Sequence, residues 1–258
     1  MKKYTILLFT CFLVTAGFSQ KKTKAFQSGE WLRYRMSYSG WMRAGSAILE
    51  VKETKLNGKK VLHSKGTGWT SGMVKWFFKV DDTYQSYFDI SSVKPFLFKR
   101  KIDEGGYKKN RQVTFDYNKS EAYVQDFIKK KDTTVTIKNV QDMLSSFYYL
   151  RNRDVRNFKK GDEIVIDMFL DTKIYRFKLR FLGRDILKTK FGKIKTLKFR
   201  PIVQSGRIFK AEESVTIWVT ADDNKIPIKM EASLSVGSLR ADLESYKGLA
   251  NSFKIIFD

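Results

Sequence analysis

The chain has 258 residues, a formal net charge of +23 and one cysteine, Cys11. This length suits one large all-β domain or two small ones. The charge has two interpretations, an anionic partner, such as lipid head groups or an acidic polymer, and a solvated basic surface without a partner. Since His63 is the only histidine, zinc sites and Ser-His catalysis lack their ligands and base, and we predict no metal, no cofactor and no enzymatic activity.

Residues 1–19 have the pattern of a cleaved signal peptide. Lys2 and Lys3 precede an apolar run that is too short for a spanning helix of about 20 residues, and Ser19 ends it. We therefore predict cleavage near Ser19 and export to the periplasm, with secretion or outer-membrane association as the other exported locations. Export also excludes nucleic acid as a partner. Residues 20–28 are predicted to be a flexible leader and residues 29–258 a single β-rich domain.

The first strands are predicted from alternating apolar and polar side chains. Every second side chain is apolar over residues 31–38, and a second such segment covers residues 44–54. Asn57-Gly58 then supplies the residues of a two-residue hairpin turn, after which residues 61–67 return. These elements form an antiparallel meander, and further strands are predicted at short, regular spacing through the rest of the chain.

Residues 68–80 are denser in aromatic side chains than their neighbours. They include Trp69, Trp76, Phe77 and Phe78. Such side chains are typical of a ligand mouth or of a membrane interface, where amphipathic rings settle. The alternative interpretation is that they cover the sheet as ordinary core, with a short helical turn among them.

Residues 139–153 are predicted to form the principal helix. Asn139 is placed to cap it, Asp142 to complete a capping box, and Arg151 to stabilise its C-terminal end. One stripe at helical spacing holds the apolar side chains Val140, Met143, Leu144, Phe147 and Tyr148. Because the surrounding sequence alternates with period two, we expect this helix to pack on a β-sheet.

Two acidic segments are candidates for chemistry. Asp222-Asp223-Asn224 resembles part of a calcium loop but lacks the spaced Glu and Gly, so it is predicted to be an Asx turn. Asp142, at the start of the helix, is predicted to be a cap rather than a catalyst. A glycan hydrolase would need two carboxylates facing each other across a cleft, and the sequence nominates no such pair.

An ordered set of short motifs resembles an exported bacterial family, catalogued as domain of unknown function 3108. The motifs are Gly29-Glu30-x-Leu32-x-Tyr34, Gly45 with Ala47, Asp142-x-Leu144-Ser145-x-x-Tyr148-x-x-Arg151, Trp218-Val219-x-x-Asp222 with Pro227, and Gly237 with Leu239. The end of the signal, Phe18-Ser19-Gln20, resembles signals of Bacteroidota. The resemblance implies a compartment and an architecture, with Asp142, Arg151, Trp218, Asp222 and Pro227 as motif or structural residues, and no reaction.

A looser similarity concerns residues 217–229, which resemble a hairpin of periplasmic lipoprotein carriers. That similarity implies a mainly β fold, a curved antiparallel sheet or open half-barrel with one principal helix packed in or over its concave face.

Two functional hypotheses follow for such a fold. In the first, the curved sheet binds an apolar or amphiphilic, lipid-like ligand. The predicted ligand-binding residues are Trp69, Trp76, Phe77, Phe78, Met143, Phe147 and Tyr148, with Lys188, Lys190, Lys193 and Lys195 at the rim for acidic head groups. In the second, the protein is an envelope scaffold or accessory interaction protein with a fully packed core. An anionic membrane surface or an envelope protein is the expected macromolecular partner.

Overall fold

A computed structural model describes residues 24–203, 215–233 and 237–256, which form one 15-stranded curved sheet and two helices. The predicted signal peptide, with Cys11, lies outside these residues. The elements are β1 (Trp31–Tyr38), β2 (Met42–Leu56), β3 (Lys59–Thr70), α1 (Val74–Phe77), β4 (Asp81–Phe88), β5 (Pro95–Glu104), β6 (Tyr107–Asp116), β7 (Glu121–Asp126), β8 (Lys131–Thr136), β9 (Val140–Gln141), α2 (Met143–Arg151), β10 (Glu163–Leu170), β11 (Lys173–Thr189), β12 (Gly192–Val203), β13 (Val215–Thr220), β14 (Pro227–Ser233) and β15 (Ser238–Lys247).

The sheet is antiparallel and unclosed, as predicted. Its strand order is β8-β7-β6-β5-β4-β3-β2-β1-β15-β14-β13-β12-β11-β10-β9. Neighbouring strands are therefore consecutive in sequence except β1 and β15, and the consecutive strands β8 and β9 lie at the two opposite edges. Asn57 and Gly58, with φ of 49° and 80°, form the predicted tight turn between β2 and β3. Within the described ranges, the one parallel pairing is the two-residue contact of β9 with β10.

Curvature brings the two halves of the sheet face to face. Phe169 of β10 packs edge-on against Phe115 of β6, with ring centroids 5.6 Å apart, in a cluster that also contains Phe98 and Leu144. On the opposite side of α2, strands β10–β13 form a second apolar cluster around Phe181 and Phe199. The interior therefore holds α2 between two sheet faces, as expected for a helix packed in the concavity.

The structure corrects the start of the principal helix. It begins at Met143, with Asp142 rather than Asn139 as the N-cap, and the capping box pairs Asp142 with Ser145. Val140, expected on the helical stripe, instead pairs with Asp167 of β10 as part of β9. The prediction failed here because an apolar residue at position 140 fits a buried helix face and a buried bridge equally well.

The structure also shows that the N-terminal segment is not wholly a leader. Ala25 and Phe26, within the predicted flexible segment 20–28, are buried. The ring of Phe26 lies 4.5 Å from that of Tyr148, and the backbone N–H of Ala25 donates to Asn152 Oδ1 over 3.0 Å. Two buried apolar side chains are enough to fix residues 24–28 on the end of α2.

Candidate functional site

An apolar cavity of about 100 Å³ lies between α2 and strands β10–β14. Alternating positions on these strands direct apolar side chains inward, and α2 closes the space from the other side. The lining consists of Phe147, Leu150, Arg151, Val155, Ile164, Phe177, Leu179, Phe199, Ile217, Val219, Lys225 and Pro227. Ten of these twelve side chains are apolar, so the cavity suits a hydrocarbon group.

The two cations in the lining differ in how their charge is compensated. Arg151 is buried, donates to both carboxylate oxygens of Glu30 at 2.6 and 2.7 Å, and also donates to the carbonyls of Ala25 and Asn224. Burial lowers the pKa of the half-buried Lys225, and the nearby carboxylates Asp223 and Asp154 offset this only in part. Lys225 is therefore the cation of the cavity that a ligand anion would stabilise.

The predicted ligand-binding residues of α2 divide between two faces. Phe147 lines the cavity. Met143 packs against the cluster around Phe98 and Phe115. Tyr148 is fully buried on the other face of the helix, where it contacts Phe26 and Phe88 and its hydroxyl receives a hydrogen bond from Ser64 over 3.3 Å.

The predicted aromatic residues of 68–80 do not join this cavity. Trp69 is half-buried at the end of β3, and Phe78 is 51 % exposed. Trp76 and Phe77, on the single turn α1, are 86 % and 87 % exposed. The structure thus separates the seven predicted residues into a helix group and a group at one end of the sheet.

The family-motif residues hold the helix and one turn in place. Asp142 accepts hydrogen bonds from Ser86 Oγ at 2.5 Å and from the backbone N–H groups of Leu144 and Ser145, yet its burial raises its pKa to about 6. Asp222 accepts from Thr220 Oγ1 over 2.6 Å and from the N–H of Asn224, which is the predicted Asx turn.

Two further motif residues lie on the β13–β14 hairpin. The ring of Trp218 has the ammonium groups of Lys229 and Lys198 above it, 4.7 and 5.2 Å from its centroid. Pro227 lines the cavity. The hairpin is therefore stabilised by the cation contacts of the Trp218 ring, and both of its strands contribute to the cavity, β13 through Ile217 and Val219 and β14 through Pro227.

Two of the four lysines predicted at the rim line one groove. Lys188 and Lys190 line a separate groove of about 370 Å³ with Arg35, Lys229 and Arg240, and Lys193 and Lys195 are not in its lining.

His63 stacks on Tyr87 with centroids 4.2 Å apart and contacts Gln85 on the sheet, and its burial lowers its pKa. Among the residues that the structure covers, no three His, Cys, Asp or Glu side chains come together as a metal site, and no helix has the length and apolarity to cross a bilayer.

Sequence reasoning missed most of the cavity lining. Ile164, Phe177, Leu179, Phe199, Ile217 and Val219 all fall in predicted strands, but alternation alone does not say which inward positions the helix leaves unfilled. Lys225 follows the Asx turn, where a cation is usually a solvated surface group. The sequence does not show that Lys225 lies beside an apolar cavity, because that position depends on how α2 packs against the sheet.

Comparison with known proteins gives a family and a fold. A family model described as "Protein of unknown function (DUF3108)" matches residues 33–244. The comparison with curated proteins gives no match. Among solved structures, a beta-barrel-like protein of domain of unknown function DUF1849 from Brucella abortus is 12 % identical with a TM-score of 0.57, over 88 % of this chain and 99 % of that one. This similarity supports the barrel-like fold and nothing further.

Two other solved structures are more distant. A DUF1089 family protein from Pseudomonas aeruginosa is 8 % identical with a TM-score of 0.36, over 70 % of this chain and 87 % of that one. A candidate exported protein with a YmcC-like fold from Bacteroides fragilis is 8 % identical with a TM-score of 0.34, over 87 % of this chain and 98 % of that one.

Proposed function

The chain belongs to the DUF3108 family of proteins of unknown function, and from that starting point we propose that it is a non-enzymatic envelope protein that binds an amphiphile with an acyl chain and an acidic head group. The observation that carries the proposal is the apolar cavity between α2 and strands β10–β14, with Lys225 at its lining. The acyl chain of the ligand would enter the cavity, and its acidic head group would neutralise the charge of Lys225.

The volume of the cavity limits which part of a ligand can enter it. About 100 Å³ is well below the roughly 300–1,000 Å³ of sites for drug-sized molecules. The terminal part of one alkyl chain fits this volume, whereas a whole diacyl lipid does not. Each methylene moved from water into such a space contributes about 0.8 kcal/mol, so a short buried segment supplies useful affinity.

Binding of cis-parinaric acid, a fluorescent long-chain acid, tests the proposal. We expect saturable binding that Ile217→Phe weakens at least tenfold, because the larger side chain occupies the cavity. Ile174→Phe is the matched control, since Ile174 is 42 % exposed and does not line the cavity. The absence of saturable binding, or equal binding by the Ile217 and Ile174 variants, would contradict the proposal.

The proposed contact between the acidic head group and Lys225 is tested separately, by comparing the binding of an acid and of an alcohol. Lys225→Gln keeps most of the side-chain length and removes the charge. We expect it to weaken binding of the fatty acid and to leave binding of the long-chain alcohol of equal length unchanged. Equal effects on acid and alcohol would show that Lys225 acts through packing alone.

The alternative function is an envelope scaffold or accessory protein without a ligand. It is favoured by the filling of the rest of the interior, where four apolar clusters and α2 occupy the space between the sheet faces. This function predicts no uptake of the fluorescent acid together with co-purification of an envelope complex. Export, which both functions require, is tested by the N-terminal sequence of protein from the periplasmic fraction.

A further inference from the structure

Two loops at one end of the sheet carry exposed apolar side chains, and a third loop, after β5, lies at the same end. Because β1, β3 and β5 run in the same direction, the loops that follow them lie at the same end. Trp41 follows β1 and is 80 % exposed, and Trp76 and Phe77 follow β3. We call the set Trp41, Met73, Trp76, Phe77 and Phe78 the aromatic rim.

Backbone contacts hold these loops side by side. The N–H of Ser71 donates to the carbonyl of Ala44 over 3.0 Å, next to the β1–β2 turn. The N–H of Gly105 donates to the carbonyl of Lys79 over 2.8 Å, and a Cβ at Gly105 would come within 2.5 Å of the Phe78 ring. The aromatic rim is therefore one surface built from neighbouring loops.

The rim is not needed for the core. The connection from β3 to β4 spans residues 71–80, longer than the roughly 2–5 residues that usually join antiparallel neighbours. Its helical turn α1 buries no residue. A long connection whose large apolar side chains face solvent is typical of an interaction surface rather than of packing.

Basic residues accompany the apolar ones. Lys75 lies within α1, and Lys79 follows it and pairs with Asp103 over 3.6 Å. At the same end, the β7–β8 turn has Phe127 and Ile128, 50 % and 51 % exposed, followed by Lys129, Lys130 and Lys131. Two loops thus combine exposed apolar side chains with lysines.

We propose that the aromatic rim is a docking surface for an anionic lipid bilayer. Trp side chains settle at the head-group level, and neighbouring lysines are attracted to anionic lipids. The net charge is +23 for the full sequence and +21 (23 − 2) without Lys2 and Lys3 of the predicted signal peptide, and it adds a long-range attraction of the same sign. The docking surface is independent of the cavity and does not require a bound ligand.

Vesicle co-sedimentation of the mature protein tests the proposal. We expect binding to vesicles of phosphatidylglycerol and phosphatidylethanolamine in a 1:3 ratio, weaker binding to phosphatidylcholine, and a loss of at least tenfold in the Trp76→Ser/Phe77→Ser variant. Ile174→Ser/Ile186→Ser is the matched control, since both residues are exposed apolar side chains of β11. The rim variant should keep the wild-type melting temperature because its side chains are outside the core.

Three results would overturn the proposal. They are no vesicle binding by the wild type, equal binding by the rim and control variants, and a concentration-dependent dimer that the rim substitutions abolish without any vesicle binding. Ile217→Phe separates this proposal from the ligand site, because it should bind vesicles like the wild type while losing the fatty acid. Failure of one proposal therefore leaves the other measurable.

Discussion

At the scale of single residues, Arg151 joins three separate parts of the fold. It is 4 % exposed and contacts Glu30 before β1, Ala25 in the N-terminal segment and Asn224 in the β13–β14 turn. Since each of these groups comes from a different part of the chain, the guanidinium fixes the end of α2 against all of them. Removing it would leave Glu30 buried without its counter-charge.

Arg151→Met should lower the free energy of unfolding by about 3–5 kcal/mol, because the carboxylate of Glu30 would remain buried and unpaired. Urea unfolding followed by circular dichroism measures this change. Arg156→Gln, in the exposed pair with Asp154, is the control and should leave the unfolding midpoint in place. Similar midpoints for both variants would show that Arg151 contributes little beyond its packing.

Asp142 provides a pH-dependent contribution to stability. Its pKa rises from 3.8 to about 6 on folding, so the folded protein binds more protons in this window and stability falls as pH rises through it, by up to about 3 kcal/mol. In Asp142→Asn this contribution is absent, so the variant should gain stability relative to the wild type between pH 4 and pH 7.

Urea unfolding at pH 4, 5 and 7 measures that difference. Ser86→Ala removes a hydrogen bond to the ionised carboxylate, and we expect it to move the pH window upward. Parallel profiles for the wild type and Asp142→Asn would mean that the carboxylate ionises as readily in the folded state as in the unfolded state.

At the scale of elements, Gly45 allows a close contact between the backbones of β2 and β3. A Cβ added to Gly45 would lie 2.1 Å from the backbone carbonyl oxygen of Trp69, whereas a Cβ added to Gly68 on the partner strand meets no atom within 4 Å. The family motif that contains Gly45 is thus explained by the space between two backbones.

Gly45→Ala should lower the free energy of unfolding by about 1–3 kcal/mol, because β2 or β3 must move to admit the methyl group. Gly68→Ala, which has free space, should be neutral or stabilise the protein by about 0.5 kcal/mol. Thermal unfolding compares the two directly. A Gly45 variant as stable as the Gly68 variant would show that the strands separate without cost.

Strands were more predictable than the helix boundary, for a physical reason. Alternation and the Asn57-Gly58 turn are local signals, so β1, β2 and β3 were found from sequence. Pairing of Val140 with β10 and of Arg151 with Glu30, 121 residues away, depends on contacts that no local pattern contains. The aromatic residues of α1 remained ambiguous because the same side chains serve a core and a surface.

At the scale of the whole molecule, Asp171 connects the two halves of the curved sheet. It lies in the β10–β11 turn and pairs with Arg100, with Lys109 at 3.0 Å and with Arg111 at 2.9 Å, all on β5 and β6. These cations hold the pKa of the carboxyl below its usual range despite its burial. The cavity depends on this arrangement, because its walls belong to the half of the sheet that Asp171 positions. The curvature was predicted, whereas the pairing of Asp171 with side chains 60 to 71 positions away was not, because no local pattern contains it.

Asp171→Asn should lower the free energy of unfolding by about 1.5–3 kcal/mol, since three cations lose a charged acceptor while the side chain keeps its shape and tolerates the left-handed turn. We expect the substitution to increase the rate of amide hydrogen exchange, relative to the wild type, more in β9 and β10 than in β2 and β3. Because the folded pKa is depressed, the wild type should lose its advantage over the variant as the pH falls below about 4. A uniform change in exchange across all strands would argue against a local connection.

The place of β1 in the sheet governs the order in which the chain can be assembled. β1 lies between β2, its immediate successor, and β15, the last strand of the described residues. During synthesis, the amide and carbonyl groups of β1 that face β15 stay unpaired until residues 238–247 have emerged. A product truncated before β15 would expose that edge, and a second chain could pair with it.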